Sequence, residues 1–543
     1  MELKRKSILE DRTAFEKAGY RLPGFDHEQV LANTESRPEW VHFGAGNIFR
    51  AFQAGVCQEL LDRGIMDTGL IAVEGYDYEI IEKSYRPHDN LSILATLKSD
   101  ATVEKTVIGS MVESLILDRG NDTDFKRLKE IFSNPSLKMA SFTITEKGYA
   151  VSAPDGSLSP AIAADLSAGP DEADSYLGKV FALLYERYKN GALPIAMVSM
   201  DNCSHNGDKL RTAAECFAKG WIANGFTDEG FVDYVLNSGR VSYPWSMIDK
   251  ITPRPDSRVE ELLAGDNIIG LDAIVTSKKT WVAPFVNAEE CQYLVIEDDF
   301  PNGRLPLDKG GIIYTDRETV DKVERMKVCT CLNPLHTTLA VFGCLLGYTL
   351  ISEEMKDPQL KKLVEQIGYV EGLPVVVDPG IIDPKAFIDE VVNVRIPNPF
   401  MPDTPQRIAC DTSQKLPIRF GETIKAYVSS DRLDVHSLKY IPLVYAGWLR
   451  YLMSVDDEGR AFELSPDPML DELLPAMSEA VPGMDADTAG RIIDPLLEND
   501  SIFGVNLKTV RLDGLVKEYF AELTAGPGAV RATLDKYVSG KTD

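Results

Sequence analysis

In the first half of the chain, short apolar runs are each followed by stretches with helical spacing. The run Trp-Val-His-Phe at positions 40–43 leads into Gly44-Ala45-Gly46, after which Ile48, Phe52, Val56 and Leu60 recur every four residues up to Gly64. That recurrence puts the apolar side chains on one helix face, and a glycine just beyond supplies the left-handed residue on which many helices end. The prediction is strand, glycine turn, helix. A second strand is predicted in GLIAVEGYD (69–77), and further apolar runs in MASFTITEKGY (139–149) and LPIAMVSMDNCSHNG (193–207). Helical stretches such as FKRLKEIFS and DSYLGKVFALLYERYKNG lie before these runs. Alternating strand and helix predicts a parallel sheet with helices on its faces. CQYLVIEDDFPNGRLP and GGIIYTD read as additional strands joined by a turn at Asn302-Gly303.

The pattern changes after about residue 316. EEMKDPQLKKLVEQIGYVEG, DPKAFIDEVVNVRI, SLKYIPLVYAGWLRYLMSV and DGLVKEYFAELTAG all have helical spacing, with few strand candidates between them. The expected architecture is an α/β N-terminal domain over residues 1–316 and a mainly α-helical C-terminal domain over residues 317–543. A chain of 543 residues is also too long for one hydrophobic core.

Charge narrows the class of partner. A formal net charge of -27 and a pI near 4.7 oppose a phosphate backbone or an anionic membrane surface. Neither nucleic acid nor a membrane is expected as a partner. The N-terminal segment MELKRKSILEDRTAFEKAGY has no apolar core of signal-peptide length, and no window reads as a membrane span, so the expected location is cytoplasmic. The eight cysteines form no CxxC pair, and the C-x-C at Cys329 and Cys331 reads as packing, so no metal site is expected.

The candidate chemistry falls in three places. Gly44-x-Gly46, between a strand and a helix, has the context of a dinucleotide site, in which small residues let the backbone approach a pyrophosphate at the positive end of a helix. Phe43, Gly44, Ala45, Gly46, Asn47 and Ile48 are the candidate contacts; Phe49 stands where the usual fingerprint has a third glycine. Arg50 either adds a charge near the phosphates or is a solvated helix residue. Glu74 and Asp77, at the end of the second strand, are the candidates for the adenosine ribose, and either carboxylate would oppose a 2'-phosphate and favour NAD over NADP. Asn202 follows an apolar strand that would end at the same crevice, although an Asn-rich turn is also ordinary loop chemistry.

The third place is RMKVCTCLNPLHTTLAVFGCLLGY, which embeds Lys327, Asn333 and His336 in an apolar stretch. A core ammonium must be paired or give up its proton, which makes such a lysine a candidate proton shuttle. Alternatively Lys327 ends an exposed helix, Asn333 caps a new one at Pro334, and His336 is a core histidine. On one ideal helix Lys327 and His336 would lie on opposite sides, so a shared pocket requires Pro334 to break or kink the segment.

Together, HFGAGNIFRA, SFTITEKGY, VSMDNCSHNG, MIDKITP, EDDFPNGRLP and the K-x5-N-x2-H segment resemble the polyol-specific long-chain dehydrogenase/reductase, or mannitol dehydrogenase, family over nearly the whole chain. The resemblance implies an N-terminal Rossmann-type domain, a helical C-terminal domain, an active site between them, NAD as cofactor and no metal. It makes Lys327 the general acid/base, Asn202 and Asn333 donors to the reacting oxygen, His336 a substrate-orienting residue and Glu324 a step in proton passage to solvent. Thr145 joins the cofactor contacts, and Lys415 and Arg419, in SQKLPIRFGETI, fall in a region used near substrate. The segment EGYDYE departs from the family's usual second-strand end, which leaves the ribose contact open. The implied reaction interconverts a keto-sugar acid and its alcohol, best matched by D-fructuronate and D-mannonate. Mannitol or another polyol, or tagaturonate, are the alternative substrates. A monomer is implied, and a non-catalytic NAD-binding regulator is the alternative from a different class.

Overall fold

The computed structural model describes residues 1–153 and 155–539. They divide into two compact units, Met1–Lys98 with Thr102–Asp321 and Ser99–Ala101 with Lys322–Asp543.

In the first unit, six strands, Trp40–Phe43, Leu70–Glu74, Met111–Ile116, Met139–Phe142, Ile195–Ser199 and Val241–Ser242, form one sheet in which every pairing is parallel. Numbered along the chain, they lie in the spatial order 3-2-1-4-5-6. This is the doubly wound dinucleotide-binding order, whose direction reverses beside Trp40–Phe43. Five of the six strands are buried along their whole length, as a sheet covered on both faces requires. One face packs Phe43, Phe132, Phe142, Phe181 and Phe217, and the other Trp40, Phe49, Phe52, Leu60 and Met200.

The Gly64 stop takes the predicted form. Gly64 has φ +65°, its N–H donates to the Leu61 carbonyl at 3.0 Å, and the Ile65 N–H donates to Leu60 at 2.9 Å. These two bonds define a Schellman ending. Upstream, Phe49–Gln53 is a π turn before the α-helix Ala54–Asp62. A repeat of four residues drifts around an ideal helix, and the wider turn absorbs that drift.

Two expectations need correction. The strands Tyr293–Glu297 and Ile313–Thr315 pair in parallel, so the turn at Asn302-Gly303 does not close a hairpin between them. The chain instead returns through the 3-10 segment Leu307–Gly310, and Ser246–Asp249 supplies the antiparallel neighbour. The stretch Arg317–Leu345 is long and apolar enough to cross a membrane by length and composition, and 78% of its most apolar window is buried. It is not one regular helix: the α-helix Arg317–Met326, the π turn Lys327–Cys331 and the α-helix Asn333–Leu345 follow one another.

The second unit is helical, and among its described residues only an isolated bridge, Val455 to Ala461, is extended pairing. Tyr440–Tyr451 packs against both Asn333–Leu345 and Asp513–Leu523. It is buried from Ile441 to Tyr451, so it forms the axis of this unit. Its first N–H groups have no partners within the helix, and the buried Glu371 carboxylate accepts from Tyr440 and Ile441, both at 2.8 Å.

Candidate active site

At the glycine turn, Gly44 has φ +107° and a Cβ there would lie 2.2 Å from the Thr143 carbonyl oxygen. Only glycine fits, because the neighbouring strand's backbone occupies that space. Gly46 differs: a Cβ would meet nothing within 4 Å. Its protein surroundings do not demand a glycine, whereas a dinucleotide approaching the helix start would. The first N–H groups of the helix after Gly46 lack intrahelical partners and carry its positive end. The residues therefore fit a bound pyrophosphate.

Beneath the turn is a polar network that the sequence reading missed. His42 contacts Ser141 Oγ at 2.7 Å and Thr143 Oγ1 at 2.9 Å, and its ring stacks on Phe49 with centroids 4.1 Å apart. Burial pushes its pKa down to about 3, so the imidazole is neutral. Phe49 thus replaces the third glycine with a stacking partner. Phe43 stacks on Phe142 in the core, which leaves its backbone as the part able to meet a cofactor.

Arg50 is not a solvated helix residue. It is 2% exposed, donates to the Ala283 carbonyl at 2.6 Å and to Asn47 Oδ1 at 2.8 Å, and so ties the helix to the segment that leads into the strand Phe285–Glu289. Glu74 is also buried. One of its oxygens accepts from the N–H groups of Gly75, Tyr76 and Asp77, and the other from Ala45 at 3.0 Å. Its carboxylate locks the second-strand end to the glycine turn, with burial holding its pKa above the ordinary value against those four bonds. Asp77 accepts from Thr276 Oγ1 at 2.6 Å, and its other oxygen is buried without a partner among the described residues.

Thr145 adopts φ 65° and ψ 158°, a region almost reserved for glycine. Asp201 holds it there: the carboxylate accepts from the N–H groups of Ile144 (2.8 Å) and Thr145 (3.0 Å) and from Tyr149 Oη (2.5 Å). Asn206 fixes the same turn from below, donating to the carbonyls of Asp201 and Ser246 at 3.0 Å each. Asn202 stands between these anchors, exposed, and its side chain makes no hydrogen bond among the described residues. Its neighbours, not Asn202 itself, set the geometry. Asp201→Ala is expected to leave two N–H groups unpaired and to cost about 2 kcal/mol. Urea unfolding measures that cost, and an NADH titration of the same variant should show weakened binding.

In the second unit Lys327 is 5% exposed and opens the π turn. The Leu332 N–H reaches back five residues to the Lys327 carbonyl at 3.1 Å, Leu332 leaves helical geometry, and Pro334 sits in the first turn of the next helix, where its missing N–H costs nothing. The segment breaks before Pro334, so the opposite-sides argument for an ideal helix does not apply. Glu324 lies one turn before Lys327 and is partly exposed. Asn333 starts the second helix without capping it; its carbonyl accepts from Thr337 Oγ1 at 3.1 Å and from Arg419 at 3.3 Å.

His336 lies 3.9 Å from Asp403, with 15% of its side chain exposed. Burial, partly offset by Asp403 and reinforced by Arg419, Arg395 and Arg407, pushes its pKa down to about 4. It is therefore neutral at pH 7, and the Asp403 carboxylate pairs with Arg407 instead. Arg419 also donates to Thr337 Oγ1 at 2.5 Å, and burial lowers its pKa to about 10. Lys415 donates to the carbonyls of Ile408, at 3.0 Å, and Cys410. Among the described residues, no group of three or more His, Cys, Asp or Glu is arranged to hold a metal ion.

Residues 38–309 match the model of the mannitol dehydrogenase Rossmann domain, and residues 319–524 that of the mannitol dehydrogenase C-terminal domain. A D-mannonate oxidoreductase of Thermotoga maritima is 53% identical over 100% of both chains. A D-mannonate oxidoreductase of Escherichia coli is 29% identical, covering 83% of this chain and 86% of the relative. The solved ternary complex of Pseudomonas fluorescens mannitol 2-dehydrogenase with NAD and D-mannitol is 26% identical, with a TM-score of 0.68 over 100% of both chains. The glycine turn lies within the first matched span and the Lys-Asn-His segment within the second, and the two spans together show that the chain belongs to the mannitol dehydrogenase family.

Proposed function

We propose that this chain is an NAD-dependent oxidoreductase that interconverts D-mannonate and D-fructuronate at a secondary hydroxyl. The observation that carries the substrate is 53% identity to a D-mannonate oxidoreductase along the whole of both chains. The cofactor is supported by the Rossmann-domain match and by the space at Gly46, which no protein atom fills. Bound at the turn of Gly44 and Gly46, NAD would supply the hydride acceptor for oxidation and, reduced, the hydride donor for the reverse reaction.

The chain's own residues handle the proton and the charge. We assign Lys327 as general base in oxidation and general acid in reduction: its amine takes the hydroxyl proton and its ammonium gives it back. The amides of Asn202 and Asn333 are assigned as donors to the oxygen on which negative charge develops. His336, neutral above about pH 4, is assigned to orient the substrate without adding charge. Glu324 is assigned to pass the proton to solvent. Arg419 and Lys415 are assigned to the substrate, with Arg419 the better placed by chemistry to take a carboxylate, because a guanidinium binds it with two parallel donors.

Following NADH absorbance with D-fructuronate, tagaturonate and fructose tests the reading. D-fructuronate is expected to give a kcat/KM at least roughly 100-fold above the others, the order of discrimination that a site built to bind polar substrate groups achieves. Faster turnover of tagaturonate or fructose would reassign the substrate. Silence on all three, with measurable NADH binding, would make the chain a binding protein.

A further inference from the structure

Tyr176 is the first residue of the helix Tyr176–Lys189, a position fixed by its neighbour Ser175, which caps that helix by accepting from the Gly178 N–H at 3.0 Å. The phenol hydroxyl is fully buried and has no hydrogen-bond partner among the described residues. Its ring lies against the end of the second strand: a Cβ on Gly75 would come within 2.6 Å of Tyr176 Cε2 and 3.0 Å of Leu117 Cδ2. Gly75 therefore makes the seat in which Tyr176 lies.

The electrostatic neighbours place the hydroxyl further. It feels the carboxylates of both Glu74, which locks the glycine turn, and Asp201, which locks the Thr145 turn. The sheet reverses direction between those two turns, and in this fold the crevice at that point receives the dinucleotide. Burial and the two carboxylates raise the phenol's pKa well above its ordinary value, so it stays a proton donor. A buried donor without an acceptor costs stability, and the chain keeps this one at the crevice.

We infer that the Tyr176 hydroxyl is a cofactor contact, donating a hydrogen bond to the adenosine half of NAD beside Gly75. The inference rests on the NAD-dependent reading above. It also accounts for the second-strand end: Glu74 has given its acceptors to backbone N–H groups, so the contact to adenosine comes from a tyrosine on another element.

Tyr176→Phe removes the hydroxyl alone, and full-length protein is used throughout. The dissociation constants of NADH and of ADP-ribose, which carries the adenosine half without the nicotinamide, are expected to rise together by roughly 3- to 10-fold. The KM for NADH should rise by the same factor while kcat at saturating NADH stays unchanged, because the adenosine contact is the same in ground and transition states. The melting temperature without cofactor should hold or rise, since the variant loses an unpaired buried group. Unchanged affinity for both ligands overturns the inference, and so does a fall in melting temperature with affinity intact, which would assign the hydroxyl to the fold. If the unaltered protein itself binds neither NADH nor NAD, it is the NAD-dependent reading that fails, and the comparison of variants is not reached.

Discussion

Lys327→Ala is expected to lower kcat by about 10³-fold while the dissociation constant for NADH stays within about twofold of the parent. General acid/base catalysis by a placed side chain contributes on the order of 10²- to 10⁴-fold, and no other amine in the Lys-Asn-His segment can take over the proton. NADH binding is assigned to the first unit, around Gly44 and Gly46, and Lys327 belongs to the second. A loss in kcat without a loss in cofactor affinity therefore separates proton transfer from binding. Stopped-flow reduction of D-fructuronate gives the chemical step directly, and near-parental turnover would remove Lys327 from the reaction. Unfolding supplies the control: urea midpoints of the variant and the parent, measured side by side, show that the turnover is compared between two folded proteins.

The sequence made the parallel sheet readable because each of its central strands is a short apolar run, buried on both sides, with a glycine or helix signal next to it. The Tyr293–Glu297 and Ile313–Thr315 pair was misread because an Asn-Gly turn signals a local reversal and carries no information about which edge the next strand joins. The Lys327 segment was readable in composition and opaque in geometry. A π turn needs only one extra residue in the helix, and nothing in KVCTC marks it, whereas Pro334 marks only the helix that follows.

The same contrast holds within the candidate site. Gly44, Gly46 and Asn202 could be named as candidates because glycine after a strand and asparagine at a strand end are chemically conspicuous. Asp201 and Asn206 were missed because their roles depend on partners 40 to 57 residues away: Asp201 on Ile144 and Thr145, Asn206 on Ser246. Glu74 was found for its position, but its local hydrogen bonding was hidden. A carboxylate at a strand end looks the same in sequence whether it faces a ribose or the N–H groups of its own turn.

Glu354 carries the largest expected effect on stability. Its carboxyl group is buried, neither oxygen has a hydrogen-bond partner among the described residues, and it lies against Gly343 near the C-terminal end of Asn333–Leu345. A Cβ at position 343 would come within 2.2 Å of Glu354 Oε1, so the glycine is what admits the carboxyl group. Burial first, and then the charge of Asp357, push its pKa up to about 10; the negative end of the adjoining helix acts in the same direction. A folded pKa above the unfolded value means that stability is fully present below the ordinary carboxyl pKa and declines as pH rises toward the folded one. At pH 7 the group must hold its proton against a gap of about 2.5 pH units, which costs about 3 kcal/mol. Glu354→Gln keeps the shape and removes the titration. Its urea stability relative to the parent is expected to be about level at pH 5 and to gain about 1.4 kcal/mol for each pH unit up to pH 9. A difference that stays flat over that range would mean that Glu354 ionises at no penalty, and the carboxyl group would then have to be solvated inside the unit.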